Sequence, residues 1–231
     1  MIKKGIILAG GTGTRLSPLT KSVNKQLLPI HDKPMIFYPL SVLMLANIRD
    51  ILMIVNPGQI ENFRSLLGDG SRYGIKIKYK IQNKPAGLPE AFILGKSFIE
   101  NDNVALILGD NFFYGQSLAK KLEKSSKHKS GAKIFLKDVV FPKNYGVAKL
   151  EKNKIKKIVE KPKKFISNKA ITGLYFFDND VVKLAKKLKP SKRKELEIVD
   201  LLKKYLKKRK LSAELIGRGG AWLDTGSIDD F

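Results

Sequence analysis

The sequence predicts an α/β fold, a mostly parallel sheet with helices on both faces. Three observations lead there. Strand-length apolar runs alternate with helix-length amphipathic ones through the first half, and repeating β-α units of this length set parallel strands beneath crossover helices. Val104–Leu108 is apolar at every position, as suits a strand covered on both faces. The segments with the most distinctive chemistry, Gly10–Arg15, Gln82–Gly87 and Gly109–Asn111, each follow a predicted strand, where open α/β sheets bind ligands.

Taken in order, Ile6–Ala9 reads as the first buried strand. Pro34 opens a helix over Met35–Asn47, because a first turn does not need its missing N–H. Ile51–Val55 is the next strand, and Gln59–Leu67 a helix that stops at Gly68. Lys76–Ile81 alternates, with Ile75, Ile77, Tyr79 and Ile81 on one face, so it is a strand. A helix over Leu88–Phe98 leads into Val104–Leu108. The second half is more mixed. Short strands fit Ala132–Leu136, Val147–Leu150, Ile155–Val159 and Leu174–Phe177, with helices over Asp180–Leu188 and Glu197–Lys208. No internal repeat or Pro/Gly/Ser-rich linker divides the chain, so residues 1–231 read as one domain with halves 1–136 and 137–231.

Composition narrows the function. A chain of 231 residues, 43% hydrophobic and 29% charged, buries a sizeable core and is not disordered. Cysteine is absent, which excludes disulfides, thiolate zinc sites and a cysteine nucleophile. No stretch approaches the roughly 20 apolar residues of a membrane span. The apolar run Gly5–Ala9 is strand-length and leads into glycines rather than a cleavage site, so a cytoplasmic protein without membrane attachment is expected. The net charge of +24 invites a nucleic-acid reading. Yet Arg supplies only 7 of the 45 basic residues, and nucleic-acid surfaces favour Arg for its fork. Lys203, Lys204, Lys207 and Lys208 flank the buried-stripe spacing of Ile198, Leu201, Leu202, Tyr205 and Leu206. The charge therefore reads as a solvated lysine coat with mild attraction for anionic substrates, and no nucleic-acid partner is expected.

The sharpest segment is Leu8-Ala9-Gly10-Gly11-Thr12-Gly13-Thr14-Arg15-Leu16, directly after the first strand. Glycines there let backbone amides close on an anion. It is not a Walker A loop, which ends in Gly-Lys-Ser/Thr, and Leu16 stands where a dinucleotide fingerprint needs its third glycine. Arg15 inside the turn, and Lys25 in Asn24-Lys25-Gln26, add cations suited to phosphates. Other residues keep plainer readings open. Asp110 suits a turn cap, Asp224 a helix cap, and Glu160-Lys161-Pro162 a surface charge pair. Gln82 resembles any edge polar residue, while Tyr175 and Trp222 suit packing. His31 and His128 have no partner cluster in sequence and receive no catalytic role.

GIILAGGTGTRL, followed by SVNKQLLPI and DKPMIFYPLSVLM, resembles the nucleotide-binding start of the bacterial sugar nucleotidyltransferases. The resemblance is closest to the glucose-1-phosphate thymidylyltransferases. It continues in order through LLGDGSRYG, ALILGDNFFYG, YGVAKL, VEKPK, ITGLYFFDNDVV, LKPSKRKELEIVD and RGGAWLDTGS. It implies a Rossmann-like three-layer fold with a nucleotide-binding half, 1–136, and a sugar-phosphate-binding half, 137–231. The implied reaction joins dTTP and glucose 1-phosphate into dTDP-glucose and pyrophosphate, for deoxysugar (dTDP-rhamnose type) and surface polysaccharide synthesis. Uridylyl transfer, another sugar phosphate, or a non-catalytic nucleotide-sugar-binding role remain alternatives.

Residue by residue, the resemblance implies Arg15, Lys25 and Lys161 as catalytic cations. Leu8, Gly10, Gly11, Thr12, Gly13, Thr14, Arg15, Gln26, Gln82, Gly87 and Asp110 would bind nucleotide, with Gln82 and Gly87 reading the pyrimidine. Asn111, Tyr145, Gly146, Glu160, Lys161, Thr172, Gly173, Tyr175, Arg193 and Glu197 would bind the sugar phosphate. Asp110 and Asp224 would hold Mg²⁺, since two hard carboxylates plus phosphate oxygens suit that ion. Three features depart from the family pattern: Lys194 stands where glycine commonly follows the arginine, His31 stands where tyrosine is common, and relatives continue past TGSIDDF with a mainly helical segment. Its absence implies exposed apolar surface, marginal stability and weakened product feedback, and the homo-oligomer that the resemblance implies is expected only if that segment is not essential for assembly.

Overall fold

The computed structural model describes residues 1–11, 13 and 16–226, so Thr12, Thr14 and Arg15 lie outside the described set, as do 227–231. The elements begin with β1 (Lys4–Ala9), the short strands β2 (Pro29–Ile30) and β3 (Lys33–Pro34), α1 (Phe37–Leu45) and β4 (Asp50–Val55). Next come α2 (Ile60–Leu67), β5 (Lys76–Ile81), α3 (Glu90–Leu94), α4 (Lys96–Ile99), β6 (Val104–Leu108) and β7 (Asn111–Gly115). Then follow α5 (Leu118–Ser126), β8 (Ala132–Asp138), β9 (Gly146–Glu151), β10 (Lys154–Glu160) and β11 (Lys169–Phe177). The series closes with α6 (Asp180–Lys186), α7 (Ile198–Lys207), β12 (Leu211–Ile216) and β13 (Gly220–Asp224).

Strands β6, β1, β4 and β5 lie side by side and parallel. Their residues alternate between two cores. Ile7, Met53 and Ile107 face Leu40 of α1, Phe63 of α2 and Leu122 of α5. Ile6, Leu52 and Leu106 face Phe92 of α3, Val181 of α6 and Leu202 of α7. Burial on both faces explains why β1, β4 and β6 are apolar almost throughout, whereas β5 at the sheet edge alternates. The result is the three-layer, mostly parallel mixed sheet that the sequence predicts.

β11 extends the sheet antiparallel, and the site depends on how it does so. Over Leu174–Phe177 one edge of β11 pairs with β6, and the other edge pairs with β8. At Ala170 the β6-side edge has passed to β9, which forms a hairpin with β10. Thr172 and Gly173 sit between these two pairings, at a fork where β6 ends and β9 begins. β12 adds parallel to β8, and β13 pairs antiparallel with β7 in a separate ribbon.

Two predicted elements differ in detail. Pro34 does not open α1: it pairs with Pro29 in the β2–β3 ribbon, and α1 starts at Phe37 after Ile36. Leu88–Phe98 is not one helix but two short ones meeting at Gly95. A Cβ at Gly95 would stand 3.0 Å from Ile6 Cδ1 and 3.2 Å from Leu52 Cδ2. Glycine lets this segment approach β1 and β4, and the same residue weakens helix continuity.

Candidate active site

The parallel strands β1, β4, β5 and β6 end together at one rim of the sheet. A cleft of about 450 Å³ opens there and extends over the β11 fork. Leu8, Gly10, Gly11, Gln26, Gln82, Gly87, Asp110 and Asn111 line it from residues 1–136. From residues 137–226 come Tyr145, Gly146, Glu160, Lys161, Thr172, Gly173, Tyr175, Arg193, Glu197 and Asp224. Gly13 packs on Thr20 and Lys25 instead, and Lys25 joins the site through Asp110. The assignments to Thr12, Thr14 and Arg15 lie outside the described residues.

On the glycine-rich side, Asn56 at the end of β4 clasps the turn from both directions. The Gly11 N–H donates to Asn56 Oδ1 (3.0 Å), and Asn56 Nδ2 donates to the Gly11 carbonyl (2.7 Å). Lys25 opens a single 3₁₀ turn, Lys25–Leu27, capped by Asn24 Oδ1 accepting from the Gln26 N–H at 2.9 Å. The Lys25 side chain is only 7% exposed, and its Nζ meets Asp110 Oδ2 at 2.8 Å. A buried ammonium needs such a partner, so Lys25 and Asp110 form one electrostatic unit.

Asp110 stands between β6 and β7. Asn111 Nδ2 donates to its Oδ1 at 3.0 Å, while the Thr225 N–H and hydroxyl both reach its backbone carbonyl. Across the β7–β13 ribbon, Asp224 is the register partner of Asn111, so residues far apart in sequence bring two carboxylates to one end of the cleft. Asn111, 1% exposed, ties this end to the fork. Its Oδ1 accepts from the Trp222 indole (2.6 Å) and from the Gly173 N–H (3.0 Å). A Cβ at Gly173 would stand 2.5 Å from that oxygen, so only glycine permits the contact. Among the described residues no group of three or more His, Cys, Asp or Glu gathers to hold a metal. A cation here would therefore rest on two carboxylates plus oxygens brought by a substrate, a donor set that fits a hard divalent ion.

On the other side, Arg193 grips Glu197 with Nε (3.1 Å) and Nη2 (2.7 Å), and its Nη2 lies 3.5 Å from Glu160 Oε1. Burial pushes Glu197 upward, but the hydrogen bonds from Arg193 and Ser191 outweigh it and hold the carboxyl below its ordinary value. Glu160 goes the other way: burial, then the charge of Glu197, raises it against the pull of Arg193 and Lys161. A raised folded-state value means that Glu160 favours the fold while protonated and loses that contribution as pH rises through the raised value. Glu160→Gln is thus expected to raise the urea midpoint near pH 8 and to leave it unchanged near pH 3. An equal shift at both pH values would show that charge is not the cause.

Tyr175 is 3% exposed and stacks on Phe177, as its packing reading requires, yet it also lines the cleft. Trp222 likewise does both: it meets Tyr145 edge-on at 5.2 Å and orients Asn111. Lys161 and Lys194 have φ of 38° and 61°. The left-handed backbone at Lys194 is one that glycine adopts without strain, which agrees with the glycine that the resemblance leads one to expect there. Sequence reasoning missed Asn56, Glu90 and Leu196. Glu90 holds the Gln82 amide (2.6 Å), and the Leu196 N–H donates to the Ala86 carbonyl (2.8 Å). Asn56 and Glu90 lie in no motif, and Leu196, although inside LKPSKRKELEIVD, acts through its backbone, so only the folded chain brings these contacts together.

Strand ends that gather a glycine-rich turn, a buried lysine–carboxylate pair and a polar cleft define a phosphate-handling α/β protein. The particular family follows from comparison. The chain belongs to the nucleotidyl transferase family, whose profile matches residues 4–231. It is 56% identical to the glucose-1-phosphate thymidylyltransferase of Neisseria meningitidis, over 97% of this chain and 78% of that protein. It is 51% identical to the protein of the same name from Mycolicibacterium smegmatis, over 98% and 78%. Among solved structures, a Bacillus anthracis protein provisionally named a glucose-1-phosphate thymidylyltransferase, in complex with a sucrose, superposes with a TM-score of 0.91. That pair shares 40% identity over 98% of this chain and 91% of the other. A UDP-glucose pyrophosphorylase complexed with UDP-glucose gives a TM-score of 0.84 at 28% identity, over 100% and 95%. No helix among the described residues is long and apolar enough to cross a membrane.

Proposed function

We propose that the chain transfers a thymidylyl group from dTTP to glucose 1-phosphate, releasing dTDP-glucose and pyrophosphate. The observation that carries this reading is the continuity of one cleft from the glycine-rich turn to the Glu160–Arg193–Glu197 cluster. A nucleoside triphosphate fits the rim of residues 1–136, and a sugar phosphate fits the fork in residues 137–226.

In this reading a phosphate oxygen of glucose 1-phosphate attacks the α-phosphorus of dTTP. The new P–O bond forms as the bond to the bridging oxygen breaks, and pyrophosphate leaves with the electron pair. The nucleophile is already an anion, so no general base is needed, and positioning and electrostatics supply the catalysis. Arg15 and Lys25 offset the triphosphate charge, and Lys161 that of the sugar phosphate. Gln82 and Gly87 read the pyrimidine, while Tyr145, Glu160, Tyr175, Arg193 and Glu197 orient the sugar. Mg²⁺ held by Asp110 and Asp224 would supply Lewis-acid charge at the reacting phosphate oxygens.

Pyrophosphate release from dTTP and glucose 1-phosphate, with dTTP regenerated from dTDP-glucose and pyrophosphate, tests the reading. Parallel assays with UTP and other sugar 1-phosphates test the substrates. Lys161→Ala is expected to raise KM for glucose 1-phosphate with little change in KM for dTTP. The reverse pattern would remove Lys161 from the sugar side. A folded chain that binds dTTP but makes no product in either direction would instead favour a nucleotide-sugar sensor.

A further inference from the structure

Gln82 follows β5, is 4% exposed, and donates its backbone N–H to the Val55 carbonyl (2.8 Å). Its side-chain amide has a donor end and an acceptor end. The Nε2 end donates to Glu90 Oε2 at 2.6 Å. A carboxylate only accepts hydrogen bonds, so Glu90 can hold only the NH₂ end. The carbonyl end is thereby turned elsewhere: a Cβ built on Gly10 would stand 2.8 Å from Gln82 Oε1. Oε1 thus lies over the bare Cα of Gly10, and both residues line the cleft. A freely turning amide could show a base either a donor or an acceptor. This one is set to show an acceptor.

We infer that Glu90 is a positioning residue for base choice: by fixing the Gln82 amide, it selects pyrimidines that present an N–H at N3 over those that present a lone pair there. Thymine and uracil carry that N–H, and cytosine does not. The inference rests on the nucleotidyl-transfer reading, with Gln82 facing the base. Against cytosine, Oε1 and N3 would meet as two acceptors, each stripped of water and unpaired. Sites built around a hydrogen bond reject a partner that cannot make it far more strongly than apolar pockets reject a missing methylene. Glutamine at position 90 can accept or donate, so it would let the Gln82 amide turn over and meet cytosine with its NH₂ end.

The test measures pyrophosphate release with dTTP, dUTP and dCTP at saturating glucose 1-phosphate. The unmutated chain is expected to favour dTTP over dCTP in kcat/KM by on the order of 10²-fold or more. In Glu90→Gln that ratio is expected to fall about tenfold, chiefly through a lower KM for dCTP, since one unsatisfied buried group is worth that much. The dTTP-to-dUTP ratio should hold, because both bases keep the N–H. An unchanged dTTP-to-dCTP ratio in folded, active Glu90→Gln overturns the inference and leaves nucleotidyl transfer standing. Absence of product from the unmutated chain with every nucleotide overturns both. If Glu90→Gln does not fold, N3-methyl-dTTP on the unmutated chain decides. Use of that analogue as readily as dTTP overturns the inference, and a loss on the order of 10²-fold supports it.

Discussion

Asp110→Asn is expected to lower turnover by on the order of 10²-fold or more, the loss typical of removing one electrostatic stabiliser. The substitution keeps the shape of the side chain and an oxygen that can still accept from Lys25 or Asn111. What it removes is the charge that balances the 7%-exposed Lys25 ammonium. Breaking a buried ion pair from one side costs about 3–5 kcal/mol where both partners are dry. Here the Asp110 side chain is 25% exposed, so water offsets part of that cost and the fold should survive. Because Lys25 and Asp110 act as a unit, Lys25→Met combined with Asp110→Asn should lose less turnover than the two single losses multiplied together. Pyrophosphate release, with far-UV circular dichroism and urea midpoints on each variant, gives both numbers. Full turnover in Asp110→Asn would return the residue to capping the turn between β6 and β7.

The fold was legible where the physics is local. β5 and β6 have the predicted bounds, and β1 and β4 match to within two residues; burial on both faces makes the apolar runs of β1, β4 and β6 continuous. β7 and β13 were not anticipated. Asn111–Gly115 follows β6 after two residues, and Gly220–Asp224 alternates weakly, so neither pattern shows that the two pair with each other. α5 is short and lysine-rich, with Leu118 and Leu122 as its buried apolar residues, too sparse a stripe to stand out. The candidate site was legible through resemblance far more than through local chemistry. Asp110, Gln82 and Tyr175 each admit a structural reading, and their shared place in one cleft is what supports the functional one. Contacts such as Asn56 with Gly11 join positions 45 residues apart, and no spacing rule marks them.

Gly87→Ala is expected to impair both substrates at once and to destabilise the fold, although it adds one methyl group. Gly87 has φ +101°, a region that side chains rarely enter. A Cβ there would stand 2.1 Å from the Leu196 carbonyl oxygen and 2.7 Å from its nitrogen. Those are backbone atoms with no rotamer to yield, so the 82–87 loop and the 193–197 segment must separate. Doing so breaks the hydrogen bond from the Leu196 N–H to the Ala86 carbonyl. Backbone strain and overpacking each cost about 1–3 kcal/mol. A combined loss of about 2–6 kcal/mol corresponds to a drop of roughly 4–24 °C in Tm for a chain of this size. Displacing Gln82 on one side and Arg193 with Glu197 on the other should raise KM for dTTP and for glucose 1-phosphate together. Lys161→Ala, by contrast, is expected to act on the sugar phosphate alone. Thermal denaturation and two-substrate kinetics on Gly87→Ala check both effects. A normal Tm, or a rise in KM confined to dTTP, would show that the two loops are not mechanically joined through Leu196.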